Sequence, residues 1–132
     1  MPVYTAVKPA TWPDRMTFSP AVRAGELLFI SGHTATDENR NIVGVGDIAE
    51  QTRCIFRKFD AILKMAGGSF DNIVETTEYF LTLDDYKKTA DVRREFFKGP
   101  LYPAATGVLV ASLIRRDALI EIKATAYFGN GR

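Results

Sequence analysis

Helical and strand periodicities alternate along this chain in an order that restricts its fold more than any single motif does. Asp47 stands three residues before Glu50, a capping-box variant, and Ile48, Thr52, Ile55, Phe59, Ile62 and Ala66 follow at spacings of four and three. This predicts a first helix, ended by Gly67-Gly68 because glycine tolerates the left-handed backbone just past a helix. Ile73 to Leu83 is rich in β-branched and aromatic residues and predicts a strand. Its faces are Val74, Thr76, Glu78, Phe80 and Ile73, Glu75, Thr77, Tyr79, Leu81. Asp84 or Asp85 can cap a second helix over about Asp85 to Lys98, stopped by Gly99-Pro100.

Hairpins are expected at both ends. Val22 to Ser31 reads as an extended run, a turn at Gly25 and a buried strand, followed by a polar loop from Thr36 to Asn41. Ala105 to Leu113 and Ala118 to Phe128 read as two long strands joined by Arg115-Arg116-Asp117. The order hairpin, α, β, α, hairpin predicts a two-layer α+β domain with both helices on one face of a mixed sheet. The other face would carry Val108, Val110, Leu119 and Ile122, too apolar for water, so a homo-oligomer is expected. With 132 residues, one domain spanning 1–132 is expected.

Composition removes several function classes. The 17 Lys and Arg against 16 Asp and Glu leave a charge of +1, which gives no general attraction for nucleic acid. One Cys and one His can form neither an intramolecular disulfide nor a structural zinc set, so no metal is expected. No apolar run reaches the roughly 18 residues of a membrane span, and Met1 to Trp12 lacks the apolar block of a signal peptide, so the cytoplasm is the expected location.

Most local motifs yield to plainer readings. Gly44-Val45-Gly46-Asp47-Ile48-Ala49 fits a dinucleotide fingerprint, but only Ile42-Val43 precede it where a full strand is required, which leaves a helix-entry loop. Asp37, Asn39 and Asn41 begin like a calcium loop that Ile42 and Ile48 then break. Ser31 and His33 would share a strand face, yet nothing orients them as nucleophile and base, and His33 reads better as a pocket-lining or loop hydrogen-bonding group. Cys54, beside the apolar face of the first helix, reads as an inert thiol. The cations Arg53, Arg57, Lys58, Lys64, Lys87, Lys88, Arg93 and Arg94 are interleaved with acids and read as solvated helix faces. Glu121, between Ile120 and Ile122, is costly unless paired or used, and an ion pair and a catalytic role stand equal.

A longer set of residues is more specific. Phe18-Ser-Pro-Ala-Val22, Gly25-Glu-Leu-Leu-Phe-Ile-Ser31-Gly32, Gln51-Thr-Arg53, Asp84-Asp-Tyr86, Glu95-Phe-Phe97, Tyr102-Pro-Ala104 and Ile120-Glu-Ile-Lys-Ala124 stand in order. Over about residues 17 to 128 the chain resembles the Rid/YjgF family of reactive-intermediate enamine and imine deaminases, also called L-PSP endoribonucleases. The resemblance implies a chorismate-mutase-like fold and a homotrimer around a central barrel, with a pocket at each of three interfaces. It assigns ligand contacts to Phe18, Ser31, Gly32, His33, Ala105, Thr106 and Gly107, and water placement to Glu121.

The chain departs from the family where an arginine grips the substrate carboxylate, since Ala105 stands there. Phe18 replaces a frequent tyrosine, His33 a glutamine and Ala90 an asparagine, which together imply a less polar ligand. The function implied is a cofactor-free hydrolase of a small imine, enamine or related C–N compound, other than a simple 2-imino acid. A non-catalytic metabolite-binding module is the alternative, and a ribonuclease the third reading. Arg15, Arg23, Arg115 and Arg116 are the candidates for a substitute cation.

Overall fold

The computed structural model describes residues 1–129, so the domain expected over 1–132 is followed to Gly129. The elements in chain order are β1 (Thr5–Ala6), β2 (Ala21–Ala24), β3 (Leu27–His33), α1 (Ile48–Met65), β4 (Ile73–Phe80), α2 (Lys88–Phe96), β5 (Ala104–Leu109) and β6 (Ile120–Tyr127). Two helices pack on one face of a mixed six-stranded sheet of order β1-β2-β3-β6-β4-β5. Among the described residues, no helix is long and apolar enough to cross a membrane.

Helix α1 is specified at both ends. The Asp47 carboxylate accepts the Glu50 N–H at 3.0 Å, and Gly67 takes φ +85° while the Gly68 N–H donates to the Leu63 carbonyl at 2.8 Å. Its buried face, with Ile55, Phe56, Phe59, Ile62 and Leu63, packs on Leu28 and Ile30 of β3 and on Ile120, Ile122, Ala124 and Ala126 of β6. Alternation on β6 then turns Glu121, Lys123, Thr125 and Tyr127 to the opposite face.

The C-terminal strands do not form the expected hairpin. β6 pairs antiparallel with both β3 and β4, while β5 pairs parallel with the far side of β4, so β4 lies between them. Parallel pairing needs a crossover, and α2 supplies it. Val110 N–H donates to Phe80 O at 2.9 Å and Leu81 N–H to Leu119 O at 3.0 Å, which guides the connecting segment past the end of β4.

Other bounds and faces change too. Asp85 has φ +59°, and α2 starts at Lys88 with Lys87 as a cap that makes no side-chain bond, so neither Asp84 nor Asp85 caps it. β4 ends at Phe80, and a register shift between Ile73 and Glu75 brings Ile73 onto the buried side with Thr76, Glu78 and Phe80. β3 is buried on one face only, with Leu27 and Phe29 exposed. Ile122 is buried against α1, and Leu119 packs at the edge of the core, so neither belongs to the open face. That face is made instead by β5, exposed along its whole length, and by outward residues such as Phe29 and Tyr127.

Candidate functional site

The end of β3 lies against the start of β6, with His33 opposite Ile122 and a register shift between Ile30 and His33. This brings Gly32 under the Glu121 side chain so closely that a Cβ at position 32 would overlap Glu121 Oε2. Above them opens a pocket of about 520 Å³. Gly32, His33, Thr34 and Glu121 line its base, and Trp12, Arg15, Met16 and Phe18 come from the segment before β2. Ile114 and Arg115 enter from the β5–β6 connection, Asp37, Glu38 and Arg40 from the loop after β3, and Lys58 from α1.

Glu121 is half-buried, and burial raises its pKa above the usual carboxylate value. Among the described residues its carboxylate accepts no hydrogen bond and joins no ion pair. It is therefore available to a ligand or a water, and the structural ion pair left open by the sequence does not form among the described residues.

His33 and Ser31 do not work as a pair. Ser31 Oγ donates to the Ser19 carbonyl at 2.6 Å, and His33 Nε2 lies 3.2 Å from the Pro20 carbonyl, which assigns the proton to Nε2. Burial, then the Lys58 charge, lower the His33 pKa to about 4 against a smaller opposing effect of the Pro20 carbonyl, so the ring is neutral at pH 7. Its ring also packs on Phe59, edge to face with centroids 5.7 Å apart. His33 is a wall of the pocket, and Ser31 stands outside the lining.

Of the four candidate cations, Arg15 and Arg115 line the pocket, and neither forms an ion pair among the described residues. Arg23 is turned away, donating to Gly25 O at 2.7 Å and lying over the Phe128 ring at 4.2 Å, and Arg116 is exposed elsewhere. Lys58, expected on a solvated helix face, is instead a further cation of this pocket. Its Nζ donates to Thr34 O at 3.0 Å and Thr36 Oγ1 at 2.8 Å, and burial lowers its pKa.

Ala105, Thr106 and Gly107 lie away from this pocket. They pair with Thr76, Thr77 and Glu78, whereas Glu121 pairs with Tyr79 on the other side of β4. Beneath Gly107 is a polar cluster that sequence reading also missed. Tyr86 Oη donates to Glu78 Oε1 at 2.6 Å, Arg93 donates to Glu78 Oε2 at 2.9 Å, and a Cβ at Gly107 would stand 3.1 Å from Tyr86 Oη. Ala90 is exposed on α2. One chain thus carries two separated halves of the constellation that the resemblance assigns.

Residues 10–128 match the model of the endoribonuclease L-PSP family. A RutC family protein of Pyrococcus horikoshii is 38% identical over 110 residues, which cover 83% of this chain and 86% of that protein. The 3-aminoacrylate deaminase RutC of Acinetobacter baylyi is 32% identical over 127 residues, covering 96% and 99% of the two chains. Among solved structures, a Rid family protein of Yersinia pestis superposes with a TM-score of 0.84 at 28% identity, covering 94% of this chain and 98% of its own.

Proposed function

The chain belongs to the endoribonuclease L-PSP family, the Rid/RutC proteins, and from that premise we propose that it is a deaminase which hydrolyses the C=N bond of a small imine or of an enamine in its imine form. The observation that carries this reading is Glu121, a half-buried carboxylate with a raised pKa and no protein partner among the described residues, at the base of a 520 Å³ pocket.

Glu121 accepts a proton from a water as the water oxygen bonds to the imine carbon, and returns it to the nitrogen. The carbinolamine so formed gives up its hydroxyl proton to Glu121, which passes it to the amine nitrogen as the C–N bond breaks, so that ammonia leaves and a carbonyl remains. A pKa raised by burial suits a group that must take and release the same proton. Arg15 and Arg115 supply the positive charge that Ala105 cannot, and attract an anionic group of the substrate. The 3-aminoacrylate deaminase of Acinetobacter baylyi supports C–N hydrolysis by this family.

The working unit in this proposal is a homotrimer. Phe29, Val108, Leu109 and Tyr127 are large, exposed and on β3, β5 and β6, and a neighbouring copy would cover them. Such a copy would also carry its own Ala105–Gly107 strand toward the Glu121 pocket.

The decisive experiment follows ammonia release from imines made in situ by an amino-acid oxidase. Glu121→Gln is expected to lose at least about a hundredfold in kcat. An unchanged rate would dismiss the mechanism. Ligand binding without turnover by the wild-type protein would favour the non-catalytic binding module, a reading supported by the methyl groups at Ala90 and Ala105.

A further inference from the structure

The proposed chemistry uses the base of the pocket and its cations, and leaves the wall before β2 without a task. Trp12 is the chain's single tryptophan. Its Nε1–H donates to the Phe18 carbonyl at 3.1 Å, and the two rings meet edge to face at 81° with centroids 5.4 Å apart. Two turns, Trp12 N–H to Pro9 O at 3.0 Å and Met16 N–H to Pro13 O at 3.2 Å, fix the backbone around them. The result is a preformed aromatic corner, so little ordering cost remains when a ligand fills it.

The corner is incompletely covered by protein. Phe18 is 51% exposed, and Ile114, which lines the same pocket, is 97% exposed. Large apolar groups lining a concave space call for an apolar group from the ligand. Each apolar element also has a guanidinium beside it in sequence, Arg15 between Trp12 and Phe18 and Arg115 next to Ile114. The pocket is therefore amphipathic, and so is the ligand that fits it.

We propose that Trp12 and Phe18 form a side-chain subsite that selects 2-imino acids with an aromatic side chain over the smallest 2-imino acids. The substrate carboxylate faces Arg15 and Arg115, its ring packs on Trp12 and Phe18, and its C2 lies toward Glu121. This rests on the deaminase reading above. The step balances as water adding its oxygen to C2, the C–N bond breaking, and ammonia and a 2-oxo acid leaving. A small imino acid leaves the corner unfilled, and a missing hydrophobic contact of this kind costs tenfold or more in discrimination.

The test compares kcat/KM for the imines of phenylalanine and alanine, generated in situ by an amino-acid oxidase. The wild type is expected to favour the phenylalanine-derived imine by at least about tenfold. Trp12→Ala should abolish that preference by slowing the aromatic substrate more than the small one, and Trp12→Phe should keep most of it. Equal kcat/KM in the wild type, or a preference that survives Trp12→Ala, overturns the subsite. A second measurement separates the subsite from the chemistry: Trp12 fluorescence reports binding of 3-phenyllactate against lactate in wild type and Glu121→Gln. Tighter 3-phenyllactate binding in both proteins, without imine turnover, would keep the subsite and dismiss the deaminase. Equal binding of the two acids would overturn the subsite even beside robust turnover.

Discussion

Glu121 rests on Gly32 so closely that position 32 has no room for a side chain while the carboxylate keeps its place. Gly32→Ala must displace the carboxylate, which can swing because it lies at the end of a side chain. Overpacking at such a site costs about 1 kcal/mol, and turnover should fall at least tenfold as the carboxylate leaves its place. Kinetics and thermal melts on the same preparation check this. A large fall in Tm with unchanged kcat would show that Gly32 serves the fold alone.

His33 makes stability depend on pH with a definite sign. Its pKa falls from an ordinary 6.5 to about 4 in the folded chain, so acid favours the unfolded form. The contribution is complete above the unfolded value and is lost as pH falls through about 4. Its size is ~3 kcal/mol. His33→Gln should therefore flatten the fall in Tm between about pH 6.5 and about pH 4 relative to wild type, and the proton NMR titration of the single imidazole should show it neutral at about pH 6.

Arg93 neutralises a buried carboxylate. Its partner Glu78 is 3% exposed and is also bonded to Tyr86, whose phenol is held above its usual pKa by burial and then by Glu78. Arg93→Ala leaves that carboxylate without its cation and should cost about 3 kcal/mol in urea denaturation. Adding Glu78→Gln should recover much of the loss, and an additive double variant would show that the two side chains act independently.

Leu109, 56% exposed on the outer strand β5, tests the assembly. Leu109→Glu places a charge in the surface that a second copy would cover, and should give a monomer in light scattering where the wild type is expected to run as the proposed trimer, with far-UV dichroism unchanged. Turnover should fall with it, because the strand carrying Ala105 to Gly107 would no longer meet a neighbour's Glu121.

Helix α1 was legible because its signals are local: Asp47 caps it and Gly67 ends it within a few bonds of where the sequence marks them. The pairing of β5 and β6 was not, because periodicity shows which residues share a face and is silent about which strand lies next door. The same limit governed the site. Glu121 stood out as a carboxylate between isoleucines, and Arg15 and Arg115 could be nominated but not placed. Lys58 and Arg93 were read as solvated although a signal existed. Neither has an acid three or four residues away, whereas Lys64 has Asp60 and Arg94 has Asp91. A helical cation without such a neighbour is the one to look for beneath a pocket or against a buried carboxylate.

The central place of β6 has a consequence for how the protein comes into being. It is the strand that joins β3 to β4, so without it β1-β2-β3 and β4-β5 share no backbone hydrogen bonds within the sheet. During synthesis both pieces must wait with open edges until residue 127 has left the ribosome. The interval exposes apolar strands to other chains, and nascent copies of this protein are candidates for chaperone protection until β6 arrives.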